Sequence, residues 1–100
     1  MQDNQRQEME DLRKIVQEFQ ALLSSPGWAR LVEYGEAQIH GRESSKILPA
    51  ASLDDMIKNA TTDAEVSGIR LFLKLPELAI ADFESQLEEL KEEVRDGDSD

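Results

Sequence analysis

Three residues have types and spacing that could do chemistry together: His40, Glu36 four positions before it, and Glu33 seven before it. On a helix this spacing puts an imidazole and two carboxylates on one face, which is a donor set for a divalent cation. A hydrophilic helix face brings Glu and His together just as readily without a metal. There a protonated His40 near the helix C-terminus pairs with Glu36 and complements the dipole. The chain has no Cys, so thiolate ligands and disulfides are absent from the sequence, and with a single His no Ser–His or Cys–His nucleophile is proposed. Asp54-Asp55 and Glu88-Glu89 are adjacent pairs whose side chains diverge on a helix, which suits capping and solvation better than acid–base partnership. No Gly-rich phosphate loop is present. These residues predict a protein that is not an enzyme and uses no metal or cofactor.

Charge narrows the partners. The net charge is −11 over 100 residues. It is distributed as −2 over residues 1–23, −1 over 24–76 and −8 over 77–100. Binding to a phosphate backbone or an anionic membrane needs Lys and Arg, so direct nucleic-acid and membrane binding are disfavoured. The acidic C-terminal segment reads in two ways, as a solvated helix face or as a contact for a basic partner. The first residues, MQDNQRQEMEDL, lack the basic region and apolar run of a signal peptide, and no apolar run approaches a membrane span. A soluble protein, intracellular at synthesis, is expected.

The elements that carry these residues read as helices. Met9, Leu12, Val16, Phe19 and Leu23 recur at three and four, a heptad seam on a helix from Asp3 to Leu23 with a frayed start before Glu8. Ser24-Ser25-Pro26-Gly27 ends it, and Pro26 opens a second helix at the position where its missing N–H costs nothing. Trp28, Leu31, Val32, Gly35 and Ile39 share a face there, with Gly35 expected under a closely approaching helix and Gly41 expected to end the element. Arg42–Ala51 is a connector. Ser52, with Asp55 as capping-box partner, starts a short third helix bearing Leu53, Met56, Ile57 and Ala60. Thr61-Thr62-Asp63 marks a break or weak point. Val66, Ile69, Phe72 and Leu73 follow, around a Gly68 where a second helix could press close, and Ile69–Leu75 is expected to be the most buried stretch. Pro76 kinks or stops that helix. Ile80, Phe83, Leu87, Leu90 and Val94 then form a second heptad seam.

The fold expected is all-α, a small bundle of four to five helices with longer heptad-bearing terminal helices. One domain over residues 1–95 and a disordered acidic tail over 96–100 are expected. Trp28, Leu31, Phe72 and Leu73 are the expected core anchors. The seams Leu12/Val16/Phe19 and Phe83/Leu87/Leu90 supply helix pairing, either within the chain or in a coiled coil between copies.

A run of local matches then points to a family. Ser25-Pro26-Gly27-Trp28, Leu31-Val32-Glu33, Glu36-Ala37-Gln38-Ile39 with Arg42, Pro49 and Ser52-Leu53-Asp54 come first. Glu65, Gly68-Ile69-Arg70-Leu71-Phe72-Leu73 and Leu75-Pro76-Glu77 complete the set. Together they resemble small helical proteins of tailed bacteriophages and prophages, encoded among head-morphogenesis genes near terminase and portal. The match covers Ser24 to Glu77. The chain departs from the family in its longer N-terminal heptad segment and in Val66-Ser67, where a more hydrophilic lead into Gly68 is expected. The resemblance carries over no functional residue. It implies a non-enzymatic protein of virion assembly or DNA packaging, in the host cytoplasm or on the virion, that binds phage structural or packaging proteins or forms a homo-oligomer. The alternative is an acidic inhibitor, of the DNA-mimic type, of a host nucleic-acid-binding protein.

Overall fold

The computed structural model describes residues 2–98. It consists of three helices, α1 (Asp3–Leu23), α2 (Pro26–Ser44) and α3 (Leu53–Asp98), with no strand among the described residues. The all-α class holds, but three helices replace the expected four to five.

The difference lies in α3, which runs through both expected breaks. Thr61 and Thr62 are helical, and their hydroxyls donate to the carbonyls of Ile57 and Lys58, four residues back, at 3.0 and 3.1 Å. Pro76 lies buried inside the helix. A proline there lacks one N–H and costs about 3 kcal/mol. The spacing of α3 explains its persistence. The positions Asp55, Asn59, Thr62, Val66, Ile69, Leu73, Pro76, Ile80, Phe83, Leu87, Leu90 and Val94 alternate four and three without interruption, and every one is buried or half-buried. Tertiary packing along that line outweighs the local breakers.

The ends of the helices follow local chemistry. α1 begins at Asp3, earlier than the expected frayed start, with the Gln2 N–H donating to Gln5 Oε1 at 3.3 Å. It ends where Ser25 donates from its N–H and its hydroxyl to the Leu22 carbonyl at 3.0 and 2.7 Å, and Pro26 opens α2 as expected. Gly41 does not end α2, because no glycine adopts positive φ and the helix continues to Ser44. At the start of α3 the Ser52 hydroxyl accepts the Asp55 N–H at 3.1 Å, and the Asp55 carboxylate accepts the Ala51 N–H at 3.0 Å. The expected tail from Asp96 is helical through Asp98, and Ser99 and Asp100 lie outside the described residues.

The chain divides into two compact units, one built from the residues through Ser25 with those from Pro76 onward, the other from Pro26–Leu75. In the first, α1 packs antiparallel to the C-terminal part of α3. Met9, Leu12 and Leu90 form its buried core, with Phe83, Leu87 and Val94 packed against them. Val16 is buried, and the ring of Phe19 stacks on Phe83 with centroids 6.2 Å apart. The two heptad seams expected from the sequence therefore meet each other within the chain.

In the second unit α2 lies antiparallel to the N-terminal part of α3. Val66 is its most enclosed side chain, only 3% exposed. Leu73 is half-buried and presses on Gly35. The expected close approach at Gly35 is thus real, and Leu73 makes it. At Gly68 a Cβ would meet nothing within 4 Å, so no helix of the chain presses there. Ile69–Leu75 is not the most buried stretch: Leu71, Phe72 and Leu75 are 56%, 49% and 47% exposed. Leu31, expected as a core anchor with Phe72, is likewise exposed. The reason is geometric. A single partner helix covers one stripe of α3, and the apolar side chains outside that stripe face outward.

Candidate interaction surface

The second unit presents its chemistry along both margins of the α2–α3 pair. On α2, Leu31, Tyr34, Gln38 and Arg42 recur at three and four and share a face. On α3, Glu65, Gly68, Ile69 and Phe72 do the same. Together with Gly35 they line a groove of about 520 Å³. Gly68 puts no side chain into it, and a Cβ there would meet nothing within 4 Å.

The groove has an apolar end and a polar end. Leu31, Tyr34, Ile69 and Phe72 form the apolar end. Trp28 supports Phe72 from the side, with ring centroids 6.3 Å apart and planes tilted by 43°. Tyr34 is 63% exposed, so the wall is accessible. At the polar end the Arg42 guanidinium is fixed twice. Its Nε donates to Glu65 Oε2 at 2.8 Å and its Nη1 to Gln38 Oε1 at 2.7 Å. Held this way, the guanidinium keeps further N–H donors while its charge is offset by Glu65.

The other margin holds two of the three residues of the candidate metal set, Glu36 and His40. Glu36 and His40 line a second groove of about 470 Å³ with Ile39, Glu43, Arg70, Leu73 and Lys74. Arg70 donates to Glu43 at 3.0 Å across the helix pair. Among the described residues no group of three or more His, Asp or Glu is placed to hold a metal ion. Near the connector, Lys46 bridges to Asp63 at 2.7 Å. The Asn59 amide clamps Ile47 from both sides, accepting its N–H at 2.9 Å and donating to its carbonyl at 2.8 Å.

The residues expected to matter fall into two groups. Leu12, Val16, Phe19, Phe83, Leu87 and Leu90 all lie on the packed seam of the first unit. Trp28, Leu31, Phe72 and Leu73 belong to the second unit, where Leu31 and Phe72 line the groove and Leu73 faces the other margin. Tyr34, Gln38, Arg42 and Glu65 also line the groove, and the apolar pattern of the sequence does not mark them. A signal was available: once Val66, Ile69 and Leu73 are set as a seam, Glu65 and Arg70 flank it and seek opposite charges on the facing helix.

What the groove can do is receive an apolar side chain beside a hydrogen-bonding group. No family model, curated relative or solved structure matches the chain.

Proposed function

We propose that this chain is a non-enzymatic module of helix-mediated protein–protein interaction, acting in phage virion assembly or DNA packaging. The observation that carries the reading is the groove lined by Leu31, Tyr34, Ile69 and Phe72 and closed at one end by Arg42–Glu65. Accessible apolar side chains rimmed by fixed polar groups suit an amphipathic helix of a partner, with one apolar anchor among the rings and a polar group toward Arg42. The first unit serves as an antiparallel coiled-coil stem. The setting comes from the resemblance over Ser24 to Glu77, and most of the groove residues fall within its matched stretches. No helix of the described residues is long and apolar enough to cross a membrane.

The test is capture from phage-infected or lysogenic cells with the tagged full chain, beside the double variant Tyr34→Asp/Phe72→Asp. Recovery of portal, capsid or terminase by the parent chain and its loss with the variant supports the reading. Equal recovery by both chains removes the groove from it.

A second reading has its own observation. Asp82, Glu89 and Asp96 are exposed and spaced by seven, with exposed Glu88 and Glu92 beside them, on the side of α3 away from its packed seam. The repeat is about 10.5 Å along the helix axis. Such a ridge suits an acidic inhibitor of a host nucleic-acid-binding protein. Capture of a host nuclease that is released by salt, and lost when Glu88, Glu89 and Glu92 become Gln, would favour it over assembly.

A further inference from the structure

The heptad line of α3 that packs within the chain leaves the opposite face of the helix open. In a helix of this kind that face is ordinarily charged. Here it is apolar from Leu53 to Leu75. Leu53, Ile57, Ala60, Ala64, Ser67 and Leu71 follow one another at four and three, and Met56 and Leu75 widen the stripe on either side. All are exposed; Leu53 reaches 73%, and Met56, Ile57 and Leu71 each 56%. The stripe is a second seam about 33 Å long at the rise of an α-helix. It lies opposite the line that meets α2 and is separate from the groove proposed above.

We propose that this face is covered by the same face of a second copy, with the two α3 helices antiparallel about a two-fold axis passing between Ala64 and Ser67. The first argument is self-complementarity. Met56 stands as far before that axis as Leu75 stands after it, and Ala60 as far before it as Leu71 after it. An antiparallel pair therefore sets Met56 on Leu75, a small Ala60 against a large Leu71, and Ala64 beside Ser67 at the centre, where the helices come closest. A two-fold interface requires such a patch to match itself, and a patch shaped for an unrelated partner does not.

The second argument is charge. Lys74 is the one ionic side chain inside the stripe. It falls opposite Ile57 of the second copy, where its alkyl stem covers apolar surface and its ammonium reaches water. The ionic residues at the margins, Asp63 and Arg70, are already bridged to Lys46 and Glu43. Residues 24–76 carry a balance of only −1, whereas 77–100 carry −8. A parallel pair would run the two acidic segments side by side. The antiparallel pair directs them away from each other and selects one orientation by repulsion.

The chain has no cysteine, so introduced thiols report on one pair of positions at a time. Light scattering on the parent chain should give twice the monomer mass. Single variants Ala60→Cys and Leu71→Cys are then prepared, mixed and mildly oxidised. The expected result is a disulfide-linked dimer containing one of each variant, with little linkage of either variant alone. Self-linkage of Ala60→Cys would overturn the orientation, and a monomer at high concentration would overturn the proposal. So would absence of the mixed disulfide, both for this pair and for Met56→Cys mixed with Leu75→Cys. Ala64→Glu, an exposed substitution, should give a monomer with an unchanged helical circular-dichroism spectrum. Persistence of the dimer in Ala64→Glu also counts against the interface. Partner capture through the groove uses other residues, so failure here leaves that test standing, and the reverse.

Discussion

Leu73 occupies the space that a side chain on Gly35 would need. A Cβ at Gly35 would lie 2.9 Å from Leu73 Cδ1 and 3.2 Å from Cδ2. Gly35 is therefore fixed by a neighbour and not by its backbone conformation, since no glycine here has positive φ. Alanine would gain about 1 kcal/mol of helix propensity. It would also force Leu73 aside, at a cost of about 1–3 kcal/mol for an overpacked contact. Gly35→Ala should come out near neutral or mildly destabilising, whereas in a Leu73→Ala background the same change should stabilise by about 1 kcal/mol. Denaturant unfolding of the four chains checks this. Equal effects of Gly35→Ala in both backgrounds would refute the coupling.

In the first unit the stack of Phe19 on Phe83 caps a core of Met9, Leu12 and Leu90. Leu90 is 7% exposed, and its truncation to Ala should cost about 2–5 kcal/mol. The two rings are only half-buried, so each should cost less than a fully buried Phe. Their coupling in a double-mutant cycle should be about 0.5–1.5 kcal/mol. Chemical denaturation with far-UV detection gives both numbers. A coupling of zero would mean that the rings are neighbours without interacting.

The seams of the first unit were legible in the sequence because both partners are apolar and evenly spaced, and each finds the other within the chain. The continuity of α3 was not. Its line passes through Asp55, Asn59 and Thr62, polar residues that interrupt an apolar pattern, and through Pro76, which local propensity reads as a stop. Long-range packing overrode those local preferences. The groove was half legible. The apolar character of Leu31 and Phe72 points to a core, but burial depends on how many helices surround α3, and both are exposed. The link from Arg42 to Glu65 depends on the register between α2 and α3, which is fixed only once the connector has its path.

That path is held by Asn59. Its amide closes a two-point clamp on Ile47, which is 40% exposed and adds little packing of its own. Replacing Asn59 with Leu keeps the size and removes both hydrogen bonds. Each is worth about 1 kcal/mol net at an exposed site, because water replaces it. The expected outcome is local: the Ile47 amide should exchange faster with solvent while amides near Leu90 keep their protection. Unchanged exchange at Ile47 would show that the clamp is not what positions the connector.

Pro76 provides the sharpest test of how α3 is held. Alanine there restores an N–H that can bond to the Phe72 carbonyl and removes the ring's clash, a relief of about 3 kcal/mol in an ordinary helix interior. Pro76 is buried, so some packing is lost with the ring. The net gain should be about 1–2 kcal/mol, which raises the Tm of a chain this size by roughly 5–10 °C. Pro76→Gly restores the same N–H but gives up about 1 kcal/mol of helix propensity, and should fall between the parent and Pro76→Ala. Thermal melts of the three chains followed by circular dichroism decide it. A lower Tm for Pro76→Ala would mean that the proline ring contributes more to the packed seam than it costs the helix. The ring would then be one of the contacts that hold α3 continuous, as a member of the packed line from Asp55 to Val94.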